Sequence, residues 1–195
     1  MSTSIRRNDI SRIVLTCDAL DILALFGICV ALAVAFYYQL ALGELPCPLC
    51  LLQRIGLILV GLGLAMNVKY GARGMHYGFV ILSALITGMM AGRQVLLHIV
   101  PGSSGYGSTL LGLHFYTWCV IAAVLILMFV AVLISIRGAG VGNDTGVRSM
   151  RTNVWGMIAT GIFAFLIFAN LVSTVLQCGI GQCASNPVKY DILIK

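Results

Sequence analysis

The side chains best able to do chemistry are cysteines, and four of the seven fall into two close pairs, Cys47 with Cys50 and Cys178 with Cys183. A Cys-x-x-Cys spacing serves thiol–disulfide exchange, zinc binding or a structural clip, and the spacing alone leaves all three open. The surroundings of the first pair, Pro46-Cys47-Pro48-Leu49-Cys50-Leu51-Leu52-Gln53-Arg54, add to it. Prolines at 46 and 48 fit a loop or a first helical turn, so Cys50 is expected near a helix N-terminus, where the macrodipole favours a thiolate. Arg54 stands four residues beyond Cys50, about one turn on (~6 Å of rise) and on the same face. A cation there stabilises a Cys50 thiolate and polarises an electron acceptor dissolved in a bilayer; the plainer alternative is an arginine snorkelling to the headgroups. Cys178 and Cys183 have Gly179 and Gly181 between them, a spacing compatible with a disulfide that either exchanges or merely clips a helix end. Four thiolates on one face would also suit tetrahedral zinc, but Pro48 inside the first pair and an arginine beside it argue against a closed metal site, and no metal is expected.

The elements that must position these residues are membrane helices. Of 195 residues, 60% are hydrophobic and 9% charged, where a soluble domain carries about a quarter charged. Soluble, disordered, collagen-like and small disulfide-scaffold classes are thereby excluded. The charge of +6 does not signal nucleic acid, because the basic residues lie singly or in pairs at the ends of apolar runs, a placement that suits headgroups and topology. Five runs, about 22–42, 51–68, 77–100, 113–136 and 154–176, are each long enough to span a bilayer and lack the alternation of barrel strands. The expected fold is an all-α membrane protein: one transmembrane domain over 1–195, a bundle of five helices with four around the site and the fifth outside them, and a tail over 177–195. The first run is too long for a signal-peptide core and is read as a retained helix.

Basic residues set the orientation. Arg6, Arg7 and Arg12, then Lys69 and Arg73, then Arg137, Arg148 and Arg151 mark one side, while connections 43–50 and 101–112 hold no Lys or Arg. The N-terminus is therefore expected inside and the C-terminus outside, with Lys189 and Lys195 as exceptions in the tail. Both cysteine pairs then face the oxidising side of a bacterial inner membrane or its equivalent. Cys29 and Cys119 lie within apolar runs and read as small hydrophobes, and Cys17 has no assigned role.

The stretch Pro-Cys-x-Leu-Cys-x-x-x-Arg opening the second helix resembles the disulfide bond formation protein B (DsbB) family, and the likeness runs from the Arg-rich arm through Gly92-Arg93-Gln94-Val95 and Pro101. The resemblance implies a membrane thiol oxidase that reoxidises a periplasmic thioredoxin-fold dithiol oxidase (DsbA-like) and passes electrons to ubiquinone or menaquinone. It implies that Cys47 and Cys50 are the quinone-proximal pair, with Cys50 contacting the quinone and Arg54 the basic residue beside it. Familiar members have four helices and a second pair between helices three and four; here 101–108 holds no cysteine. A fifth helix would return Cys178 and Cys183 to the outer face in that role. Arg93, Gln94 and His98 fall at the depth of a quinone headgroup, and Gln94 and His98, sharing a face, are candidate donors to its carbonyls.

His114, Tyr116, Thr117 and Trp118 read as an interfacial anchor, Gly61, Gly63, Gly88 and Gly92 as helix contacts, His76 as a residue without a site and 138–150 as a Gly-rich inner linker. Two rival readings are a vitamin K epoxide reductase-like enzyme, whose quinone-facing pair lies in a later helix, and a non-enzymatic scaffold with structural disulfides.

Overall fold

Proline and glycine punctuate a chain that is otherwise almost continuously helical. The computed structural model describes residues 2–100, 102, 105–140, 154–179, 181, 183 and 190, with 2–13 and 139–140 as backbone alone. Helix α1 runs Ser2–Ala41, α2 Pro48–Tyr70, α3 Gly74–Leu97, α4 Phe115–Gly140 and α5 Val154–Cys178. Each is long and apolar enough to cross a membrane, α1 over Val14–Ala41 and α4 over Phe115–Gly138. The chain is thus an all-α, multi-pass membrane bundle. The Gly-rich linker beyond residue 140, the tail residues 184–189 and 191–195, and the side chains of Arg6, Arg7, Arg12, Arg148, Arg151, Lys189 and Lys195 lie outside the described residues.

The helix ends differ from the apolar runs for local reasons. α1 extends back to Ser2 because neither Gly nor Pro interrupts the chain before Gly27. α2 starts with Pro48 in its first turn and Cys47 as N-cap, and Gly71 ends it at φ 83°. α3 stops at Leu97 rather than Val100, since the proline at 101 disfavours helical backbone just before it. α4 starts at Phe115 rather than 113 because Leu113–His114 (β2) pair with Thr109–Leu110 (β1). That hairpin turns through Leu111 (φ 54°) and Gly112 (φ 81°), the two positive values a tight two-residue turn needs.

α1 lies against α2 and α5, α2 against α3, and α3 against α4. The fifth helix is therefore anchored directly on α1, with a smaller contact to α2. Leu25, Val60, Val80, Ala84, Val130, Leu133 and Ala159 are fully buried between helices. Close approach is built on small residues: a side chain at Gly61 would strike Phe163 of α5, one at Gly63 would meet Val80, and one at Gly88 would meet Ala123. Gly92, in contrast to the expectation above, faces open space. Outward faces carry exposed Leu23, Leu82, Met128, Phe165 and Phe168, as helices in lipid do.

The two ends of the bundle differ in kind. One gathers the end of α1, the start of α2, and the ends of α3 and α5, with both cysteine pairs. The other holds a charged knot: the Arg137 guanidinium lies 3.1 Å from both Asp18 and Asp21 and donates through Nε to the Tyr77 hydroxyl, which in turn donates to Asp21 at 2.8 Å. His76, buried nearby, pairs its Nδ1 with Asn67 at 3.0 Å.

Candidate active site

Cys47 and Cys50 are joined as a disulfide, as are Cys178 and Cys183. Cys50 falls in the first turn of α2, as the proline spacing predicts. The capping position itself belongs to Cys47, whose Sγ accepts from the Cys50 backbone N–H at 3.1 Å. Helix start and sulfur are thus tied together, because a cap acceptor satisfies an otherwise unpaired N–H. Within each pair one cysteine is buried and the other half-buried: Cys47 (6%) against Cys50, and Cys178 (7%) against Cys183.

The two pairs are neighbours. Gln177, buried at the end of α5, donates through Nε2 to the Pro46 carbonyl at 2.8 Å. The residue before Cys178 is therefore bonded to the residue before Cys47. Gly179 at φ 60° then ends α5, its N–H bonded to the Val175 carbonyl, and turns the chain toward Cys183.

Gln94 does not point where a headgroup donor would. It is 1% exposed and directs Nε2 at the disulfide, 3.5 Å from Cys47 Sγ and 3.7 Å from Cys50 Sγ, while Oε1 accepts from the buried Gln53 at 2.7 Å. Arg93 faces outward, away from this cluster. His98 caps α3, places Nδ1 2.9 Å from the Gln94 carbonyl and stacks on Tyr116, which also stacks on His114. A carbonyl only accepts, so Nδ1 carries the proton of this bond.

Arg54 is half-buried on the face of α2 turned to α1. It donates to Gln39 Oε1 at 2.6 Å and to the Ala35 carbonyl at 3.0 Å, and stacks over Phe36. Gln39, 2% exposed, donates onward to Ser173 of α5 and to the Tyr190 hydroxyl. The connection before the first pair is also fastened: the Glu44 carboxylate accepts from the backbone and hydroxyl of Ser108, and Tyr106 donates to the Leu45 carbonyl at 2.8 Å. Burial, and secondarily the Glu44 carboxylate, push the Tyr106 phenol upward, which keeps it a donor.

Gln39, Gln53, Gln177, Glu44 and Tyr190 were not singled out by the motif. The one sequence signal for Gln39 and Gln177 is an uncharged amide in an otherwise apolar helix, where an unpaired amide is costly. Cys29, buried, sets Sγ against the Ala159 carbonyl, and Cys17 and Cys119 are likewise unbridged.

Fold and site together define a multi-pass helical membrane protein with two neighbouring disulfides at one end. The sequence profile of disulfide bond formation protein DsbB matches residues 18–109. Disulfide bond formation protein B 1 of Pseudomonas fluorescens Pf0-1 is 32% identical over 149 residues, 58% of this chain and 88% of that protein. Disulfide bond formation protein B 1 of Pseudomonas fluorescens Pf-5 is 42% identical over 88 residues, 42% of this chain and 52% of that protein. Disulfide bond formation protein B of Marinobacter nauticus is 41% identical over 81 residues, 39% and 48% respectively. The chain belongs to the DsbB family, as a variant with a fifth helix and a second cysteine pair at its end. Matches such as the latter two span about half the relative's length. No solved structure matches significantly.

Proposed function

We propose that the protein is a quinone-linked thiol oxidase of the bacterial inner membrane, with its N-terminus inside and both disulfides on the periplasmic face. It would reoxidise a thioredoxin-fold dithiol partner through Cys178–Cys183 and Cys47–Cys50. The observation that supports this reading is the Gln177–Pro46 hydrogen bond, which ties the residue before Cys178 to the residue before Cys47. Orientation is supported by the alternation of basic connections.

The exchange follows from which sulfurs are reachable. A partner thiolate attacks half-buried Cys183, the Cys178–Cys183 bond breaks, and Cys178 leaves as a thiolate. The partner's second thiol displaces Cys183, so the partner leaves oxidised and the tail pair reduced. Cys178 then attacks Cys47, releasing Cys50; Cys183 closes back on Cys178 and releases Cys47. Electrons leave the reduced Cys47–Cys50 pair as its disulfide re-forms.

A quinone, ubiquinone or menaquinone, supplies the two-electron, two-proton sink when bound. The residues fit such a group: Arg54 has N–H donors beyond the two bonded to Gln39 and Ala35, and Phe36 gives an aromatic wall. Arg54 would bind and orient its carbonyl oxygen, and His98, at the end of α3, would hold or pass a proton.

The test is quinone reduction by the purified, detergent-solubilised protein given a reduced thioredoxin-fold donor. Turnover that requires Cys47 and Cys50 is expected, whereas a scaffold gives none. Arg54→Met is expected to raise the apparent KM for quinone roughly tenfold or more, in line with loss of a charged hydrogen bond, with Arg54→Lys rescuing only in part because an ammonium lacks the planar fork. Unchanged kinetics in Arg54→Met would reduce the residue to a tie between α1 and α2.

A further inference from the structure

The Cys47–Cys50 disulfide faces a buried carboxamide from another helix. Gln94 is held at both ends: Oε1 takes a hydrogen bond from Gln53, and Nε2 is left to the two sulfurs. Its backbone carbonyl is in turn bonded to His98. Both glutamines are nearly inaccessible to bulk solvent, at 1% and 3% exposure. A packing role alone does not call for this arrangement, since an apolar side chain would fill the volume without the need to satisfy two buried amides.

We infer that Gln94 stabilises the reduced form of the pair by donating to the Cys47 thiolate, and that Gln53 is a positioning residue fixing which end of the Gln94 amide meets the sulfur. The inference rests on the reading of Cys47–Cys50 as a redox pair. A disulfide sulfur is a weak acceptor and a thiolate a strong one, so the bond from Gln94 strengthens on reduction. The Cys50 N–H adds a second donor to the same sulfur. Both act on Cys47, the last leaving group of the exchange, and both make the pair more oxidising, because stabilising the reduced form raises the potential. Arg54 is bonded instead to Gln39 and Ala35 of α1. The Gln53 donor is essential: were that bond reversed, Gln94 would present its carbonyl to the sulfur and oppose the thiolate.

The test uses the full chain in detergent with Cys178→Ser and Cys183→Ser, equilibrated with dithiothreitol and read by alkylation mass shift, without quinone or partner. Gln94→Met keeps the length of the side chain and removes the donor. It is expected to shift the equilibrium toward the disulfide about tenfold, about 30 mV more negative, and to raise the pH at which Cys47 becomes alkylatable. Gln53→Glu separates positioning from packing, because it is nearly isosteric yet, when ionised, accepts from Gln94 and turns the donor away. It is expected to match the parent at low pH, where the introduced carboxyl is protonated and donates like the amide, and to shift toward the disulfide at least as far as Gln94→Met at high pH, where the Gln94 carbonyl is turned to the sulfur. An equilibrium unchanged in Gln94→Met, or a pH-independent Gln53→Glu, overturns the inference. A parent pair that exchanges with no dithiol overturns the underlying redox reading instead.

Discussion

Replacing both Cys178 and Cys183 by Ser is expected to abolish oxidation of a reduced thioredoxin-fold donor while leaving quinone reduction from dithiothreitol intact. A small reductant can reach half-buried Cys50 in the first turn of α2, whereas a folded donor meets first Cys183, which lies beyond the end of α5. The burial of Cys178 sharpens the forecast. A donor with a single cysteine should form its mixed disulfide with Cys183 and not with Cys178, because the reachable sulfur is attacked and the buried one leaves. Peptide mapping of the trapped complex reads this directly. A Gln177→Leu variant should trap the donor normally yet pass electrons to Cys47–Cys50 more slowly, since it loosens the bond that holds the pairs together. If Cys178–Cys183 is only a clip on the end of α5, the double Ser variant loses stability but turns over normally per folded molecule. Normal donor oxidation by that variant would sink the relay.

Much of this arrangement is legible in the sequence because it is local. The Pro-Cys-Pro run specifies the start of α2, and apolar runs of bilayer length specify the crossings, since a chain in lipid must satisfy its backbone internally. What escapes is every contact between distant segments. Gln94 shares a helix face with His98, which suggests a common ligand. The structure instead divides them, Gln94 to the sulfurs and His98 to the Gln94 carbonyl and Tyr116. Nothing in the spacing reveals that Gln53 would claim one end of that amide from 41 residues away. The N-cap role of Cys47 is a near miss: the prolines locate the helix start to within a residue or two, but the cap geometry decides which sulfur receives the N–H. Leu113–His114 read as helix because they are apolar and aromatic, and only the positive-φ turn at Leu111-Gly112 shows otherwise.

Arg137 is the residue whose sequence reading changes most, and its removal carries the largest expected cost in stability. By sequence it is one of several basic residues marking a membrane face. In the fold its side chain is 18% exposed and its guanidinium meets Asp21, itself 2% exposed, and Asp18, 38% exposed, while bonding to Tyr77. Three helices, α1, α3 and α4, are joined there across 60 to 119 residues of sequence. Asp18 and Asp21 are three apart and so share a face of α1, which is the one local hint that a cation belongs opposite. Arg137→Leu strands Asp21 without its cation and is expected to cost about 3 kcal/mol or more. The penalty arises from the uncompensated acid more than from lost attraction, so Asp21→Leu combined with Arg137→Leu should recover most of it. Asp18 contributes little to this balance because it is partly exposed. Unfolding of the detergent-solubilised variants by titrated denaturant, followed by tryptophan fluorescence, measures the cycle. Dithiothreitol-driven quinone reduction per folded molecule should stay unchanged, since the knot lies at the end of the bundle away from both disulfides. If Arg137→Leu is as stable as the parent, the arginine is a topological charge that happens to rest on two aspartates, and the knot does not hold α1 to α3 and α4.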